Sequence, residues 1–164
     1  MNDAIPVEPL GALARRAGPR PCTTVANPHS QLDQQPPREV IDDLVVRLQR
    51  MDGVLVGGSL RAPPGTIGFH LPLARARGPV EAFLLGREFA HVHPDPDGSL
   101  HLTLPSGLRE AAILAGWAEP HPLAGRPSVS PQTVMVYAPR DEEEVEVVTA
   151  LAEASRRYAA GLPD

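Results

Sequence analysis

The stretch His91-Val92-His93-Pro94-Asp95-Pro96-Asp97-Gly98-Ser99-Leu100-His101-Leu102-Thr103-Leu104 reads as two strands joined by a turn. Asp95-Pro96-Asp97-Gly98 has the chemistry of a type I turn closed by a left-handed glycine. Proline suits the second position, and only glycine takes a positive φ without steric cost. A three-residue loop of Pro96, Asp97 and Gly98 pairs Asp95 with Ser99, which sets His93 opposite His101 and His91 opposite Thr103. Side chains alternate along a strand, so His91, His93 and His101 share one face. Ala90, Val92, Leu100, Leu102 and Leu104 form the other face, which is the core side. A two-residue loop would slip the register by one and carry His101 to the leucine face; the turn residues argue against it.

Working outward, apolar residues recur at helical spacing after Pro37 (Val40, Leu44, Leu48, Met51), and Gly53 ends that helix. Short strands are expected at residues 54–56, 67–71, 81–85, 87–93 and 99–104. Ser106 caps a helix running to Ala115 with Gly116 as its stop, and residues 133–138 form a further strand. The last helix spans about 141–158. Asp141 with Glu144 makes a capping-box arrangement, and Val147, Leu151, Ala154 and Tyr158 form its buried stripe. Its acidic start and its Arg156-Arg157 end match the helix dipole, which explains the run 141–144 without a metal or a partner. Before Pro37 the chain is rich in proline and glycine, with a short helix expected at Leu10 to Arg16. The organisation is thus an extended N-terminal arm (1–36) and one domain (37–160). The fold class is α+β: two layers, a mainly antiparallel sheet with helices packed on one face.

Composition narrows the function. The chain has 164 residues, a net charge of −5 and 15 basic residues, all arginine. Net acidity argues against nucleic acid as a partner. The absence of lysine excludes a Schiff-base lysine, a P-loop lysine and a Ser-Lys dyad. Cys22 is the single cysteine, so no disulfide framework or thiolate zinc site exists. No signal peptide or membrane span is visible, and a soluble cytoplasmic protein is expected. Arginine-only usage with abundant Ala, Gly and Pro points to a GC-rich genome rather than to function.

Three imidazoles on one sheet face fit a metal site, a general-base cluster or a solvated face. Further along stand Gly116-Trp117, His121-Pro122-Leu123-Ala124-Gly125 and Tyr137-Ala138-Pro139-Arg140-Asp141-Glu142-Glu143-Glu144. Taken in order with Arg87-Glu88-Phe89-Ala90-His91-Val92-His93 and Leu100-His101-Leu102, these resemble the fungal luciferase family, which also contains bacterial luciferase-like domains. The resemblance runs from Arg87 to Tyr158 and extends weakly to Gly18-x-Arg20-Pro21 and Gln31-Leu32-Asp33-Gln34. It implies an enzyme that oxidises a 3-hydroxy-α-pyrone with O₂, without an added organic cofactor. The fungal enzymes also carry an apolar N-terminal membrane segment that this sequence does not show, and residues 59–80 differ.

Such a reaction requires an enol to lose its proton, and histidine is the side chain whose unperturbed pKa permits that near neutrality. His91, His93 and His101 are the expected catalytic residues, as base and as donors to the resulting oxyanion. Arg87 or Arg140 could set a cation beside an enolate, although Arg140 also has acids to pair with. Trp117 and Tyr137 suit stacking on a flat ring or, more commonly, a place in the core. His121, Thr103 and His70 complete the expected substrate contacts, with His29 the weakest histidine candidate. Residues 59–80 are expected to line the pocket. O₂ is the co-substrate and a small molecule the partner.

Two rivals stand beside this reading. A cupin-like metal oxygenase would use His91, His93 and His101 with an acid, but the expected turn directs Asp97 away from the histidine face. With no well-placed carboxylate and no thiolate pair, no stoichiometric metal is expected. A non-catalytic domain that binds a small planar ligand is the other.

Overall fold

The computed structural model describes residues 12–163. The element order is α1 (Arg38–Gln49), β1 (Leu55–Gly58), β2 (Ile67–His70), β3 (Glu88–Val92), β4 (Leu100–Thr103), α2 (Ser106–Leu114), β5 (Ala118–Pro120), β6 (Thr133–Val136) and α3 (Glu142–Ala159). Six strands form one antiparallel sheet in the order β1-β2-β3-β4-β6-β5. One sheet face, carrying Phe69, Ala90, Val92, Leu100, Leu102, Val134 and Val136, packs on Leu44 and Leu48 of α1 and on Val145, Val148 and Leu151 of α3. This is the expected two-layer α+β arrangement. Strand β5 was not expected: it is three residues long and ends in a proline.

The hairpin differs from expectation in register and agrees in faces. Ala90 pairs with Leu102, His91 with His101 and Val92 with Leu100. The ladder closes where the His93 amide donates to the Ser99 carbonyl at 2.9 Å. The loop is therefore five residues, Pro94 to Gly98, with Gly98 at φ 71°. Pro94 supplies the reason. Having no N–H, it cannot sit inside the ladder as the three-residue loop requires, so pairing stops at His93. A slip of two residues preserves the side-chain faces.

Helix ends carry smaller corrections. Pro37 and Pro105 occupy the N-cap positions of α1 and α2 without side-chain capping bonds, so Ser106 lies inside its helix. At α3 the Asp141 carboxylate accepts from the Glu144 amide at 2.9 Å, while the Glu144 carboxylate accepts from the Arg140 amide, one residue before the expected position. The buried stripe of α3 is Val145, Val148, Leu151, Ala152, Ser155 and Ala159; Val147, Ala154 and Tyr158 lie at its half-buried edge. Of the short helix expected at Leu10 to Arg16, Leu10 and Gly11 fall outside the described residues, and residues 12–16 are not helical.

The segment after β2 is pinned to the end of α3. The Gly78 amide donates to the Ala159 carbonyl at 2.8 Å, and a Cβ on Gly78 would stand 2.2 Å from the Tyr158 carbonyl oxygen. Backbone on both sides leaves no flexible neighbour to yield. Gly78→Ala is expected to destabilise the fold by at least about 2 kcal/mol, within the cost of overpacking. A fall in the thermal unfolding midpoint measures it; an unchanged midpoint contradicts the contact.

Candidate active site

The second sheet face is covered by the N-terminal arm and by loops, and it is there that the imidazoles gather. His91 and His93 come from β3 and its end, and His101 comes from β4. His121 follows β5, held where its amide donates to the Thr133 carbonyl. His29 arrives from the arm, 72 residues before His101 in sequence, with its Nδ1 3.0 Å from His101 Nε2. All five line one cavity of about 760 Å³, shared with Arg61, Pro63, Thr66, Asp97 and Thr133 among others. That volume suits a small organic ligand.

Carboxylates hold the outer nitrogens. Glu88 Oε1 lies 2.7 Å from His91 Nδ1, and Glu88 also accepts from the Ser59 hydroxyl and the Leu60 amide, each at 2.8 Å. At the other end Glu119 Oε1 lies 2.6 Å from His29 Nε2. Glu119 also accepts from Thr23 at 2.7 Å and from the Tyr137 hydroxyl at 2.9 Å. Between these ends His91 Nε2 and His101 Nδ1 are 3.1 Å apart. His93 Nδ1 is 2.9 Å from the Ser99 hydroxyl, which donates to Asp97. The Asp97 carboxylate itself is 3.6 Å from His93 Nδ1, so it turns toward the histidine face, contrary to the expected turn geometry.

A backbone irregularity explains Glu88. Strict alternation from His91 would place residue 88 on the core side. The pairing of β2 with β3 shifts between Phe69–Ala90 and His70–Glu88, so one extra residue on β3 returns Glu88 to the histidine face. There it is fully buried.

The charge states follow from these contacts. Burial raises the Glu88 carboxyl, but hydrogen bonds from His91, the Leu60 amide and Ser59 outweigh it and leave it below the ordinary range. Asp97 and Glu119 behave alike: burial is overcome by the adjacent His93 and bonds from Ser99 in one case and by bonds from His29, Thr23 and Tyr137 in the other. Burial lowers His91, partly offset by Glu88. Burial and the four neighbouring histidines hold His101 well below its usual value. His121 falls to about 4, by burial first and then by His29, His91, His93 and Arg61. His91, His101 and His121 are therefore neutral at neutral pH, with lone pairs available.

The remaining expected site residues lie elsewhere. Arg87 is exposed and donates to the Leu71 carbonyl, and Arg140 is paired with Glu144 and the Ala17 carbonyl. The arginine on the cavity wall is Arg61. Trp117 belongs to the core and donates to the Ala14 carbonyl at 2.7 Å. Tyr137 is buried behind Glu119, with its hydroxyl pushed up to about 12 mainly by burial. Thr103 is buried and donates to the Ala82 carbonyl. His70 sits at the outer strands, its Nε2 3.2 Å from the Gly58 carbonyl. Residues 59–66 do border the site, as expected of that region.

Fold and site together define a small α+β domain built around an imidazole-lined cavity. Residues 86–155 match the family model described as Luciferase domain. The chain is 32% identical over 169 residues to a luciferase of Neonothopanus nambi, covering 94% of this chain and 63% of that protein. It is 31% identical to luciferases of Armillaria gallica and Armillaria mellea, covering 94% of this chain and 64% of each. The chain is similar to the fungal luciferases over 94% of its own length, and it spans just under two thirds of the length of these relatives. The relatives are fungal, so the expectation of a bacterial luciferase-like domain gains no support from them. No solved structure matches the chain. Among the described residues no helix is long and apolar enough to cross a membrane.

Proposed function

We propose that this domain is a luciferase-like oxygenase that oxidises a small planar enol, of hydroxypyrone type, with O₂ and without an organic cofactor. The observation that carries the reading is the convergence of His29, His91, His93, His101 and His121 on one cavity, in a chain whose relatives are luciferases. A hydroxypyrone must be ionised before it can pass an electron to O₂. The histidine wall favours that step: it offers neutral nitrogens to receive the enol proton and N–H groups to hold the enolate oxygen. His121 is suited to the second role. Its Nδ1 accepts from the Leu123 amide at 3.1 Å, so the neutral ring carries its proton on Nε2. Arg61 adds a cation on the same wall, the role first expected of Arg87 or Arg140.

An oxygen electrode and a photon counter, run with a panel of hydroxypyrones, test this directly. The expected result is enzyme-dependent O₂ uptake with at least one of them, with or without light. Tight binding of a planar ligand with no O₂ consumption under any condition would make the domain a binder instead.

A further inference from the structure

The imidazoles pose a hydrogen-bond count that does not close. Glu88, His91, His101, His29 and Glu119 are linked in series by contacts of 2.7, 3.1, 3.0 and 2.6 Å. With both carboxylates ionised, each contact needs one proton on a ring nitrogen, four in all. Three neutral imidazoles carry three. Glu88 takes the proton of His91 Nδ1, which leaves His91 Nε2 a lone pair. Glu119 takes that of His29 Nε2, which leaves His29 Nδ1 a lone pair. His101 stands between these two lone pairs with one proton to give. His93 offers a third lone pair on Nε2 in the tautomer whose Nδ1–H donates to Ser99, the role left to it because the Ser99 hydroxyl donates to Asp97.

We propose that His91 Nε2, His93 Nε2 and His101 Nδ1 hold a divalent first-row transition metal ion. The ligand atoms offered by these three residues lie within 4.8 Å of one another. Imidazole nitrogens sit about 2.0–2.1 Å from such an ion, so two ligands on it stand roughly 3.0–3.4 Å apart. The 3.1 Å between His91 and His101 fits. With the ion in place the count closes: His101 gives its Nε2 proton to His29, His29 gives its own to Glu119, and no lone pairs face each other. Each ligand is backed outward, His91 by Glu88, His93 by Ser99 and Asp97, and His101 by His29 and Glu119. Such outer partners fix the tautomer of metal-binding histidines. Three carboxylates balance the charge, and an all-imidazole donor set suits Zn, Cu, Fe or Ni rather than Mg or Ca. His121 is not a ligand, because its proton sits on the nitrogen that faces the cavity.

The expectation of a metal-free protein rested on the lack of a well-placed carboxylate and of a thiolate pair; Asp97 does turn toward the histidines, and an all-imidazole site needs no thiolate. The ion shares the cavity with the oxygenase reading and refines it. An enol oxygen that joined the ion would be acidified for the reason bound water is and would release its proton to solvent, so the three histidines would act as ligands rather than as bases.

The full chain, without a histidine tag, is stripped with a chelator and titrated with Co²⁺ alone, following heat and visible absorption. One ion per chain is expected, with the d–d bands of a nitrogen-ligated centre. His93→Ala and His91→Ala should each abolish stoichiometric uptake, and His121→Ala should retain it. Glu88→Gln should weaken uptake by about 10–100-fold; it keeps an acceptor for the neighbouring donors and so serves where His91→Ala fails to fold. No saturable uptake by the folded protein would overturn the inference, as would undiminished uptake by His93→Ala or loss on His121→Ala alone. Co²⁺ uptake without O₂ consumption on any enol leaves the ion and removes the oxygenase reading. Unchanged O₂ consumption by protein shown metal-free by elemental analysis does the reverse.

Discussion

Replacing His91 or His93 by alanine is expected to lower O₂ turnover on a hydroxypyrone by at least about a hundredfold, the scale of one lost acid–base group. Both side chains line the cavity and both are tied by Nδ1 to an outer partner, so each presents a fixed Nε2 to the reacting centre, whether to the substrate itself or to the ion inferred above. The two variants should differ in stability. Facing away from the leucine core, they would be expected from the sequence to cost no more than about 1 kcal/mol. The structure changes that for His91, whose loss leaves the buried Glu88 carboxylate one donor short and costs roughly 1–3 kcal/mol. Turnover is therefore measured per folded molecule, with circular dichroism on the same samples. Unchanged O₂ uptake in both variants would remove the histidine wall from the chemistry.

The second large effect is structural. Glu88→Ala is expected to lower the free energy of unfolding by roughly 3 kcal/mol or more. It strips the acceptor from three donors at once: Ser59 Oγ, the Leu60 amide and His91 Nδ1. Each unmet buried donor costs about 1–3 kcal/mol. Glu88→Gln keeps one acceptor oxygen and should cost less. Urea unfolding of the two variants beside the parent chain measures the difference. Equal loss in both would mean that the carboxylate charge, not the number of its acceptors, holds the loop at residues 59–62.

What the sequence makes legible is what strand alternation controls. His91, His93 and His101 share a face because that depends only on parity, and parity survived an error of two in the register. Pro94 held the correct loop length, since a residue without an N–H cannot sit inside a ladder. Glu88 was hidden because one bulged residue reverses the parity on which its placement depends, and nothing local in Arg87-Glu88-Phe89-Ala90 announces the bulge. His29 ranks last of the histidines in the sequence for a different reason. It reaches His101 across 72 residues, and the signal lies in the arm's tertiary docking rather than in any periodicity. Asp97 was placed wrongly because the turn was set one residue too late: its amide bonds back to the Pro94 carbonyl, and its carboxylate takes the Ser99 and Gln31 amides. Trp117 and Tyr137 followed the commoner reading of rare aromatics and joined the interior.

The arm, finally, bears on what counts as the unit of this protein. Gln31 accepts from the Ala138 amide, Arg20 reaches the Ile113 and Ala118 carbonyls, and His29 closes the row of imidazoles against Glu119. The family match begins at residue 86, and a boundary drawn at the first regular helix would begin at 37. Either cut yields a segment that keeps the hairpin and discards one wall of the cavity. Any recombinant fragment, chimera or circular permutant made from this chain therefore has to carry the arm with the sheet. The smallest inheritable module is set by where the last histidine comes from, not by where the secondary structure starts.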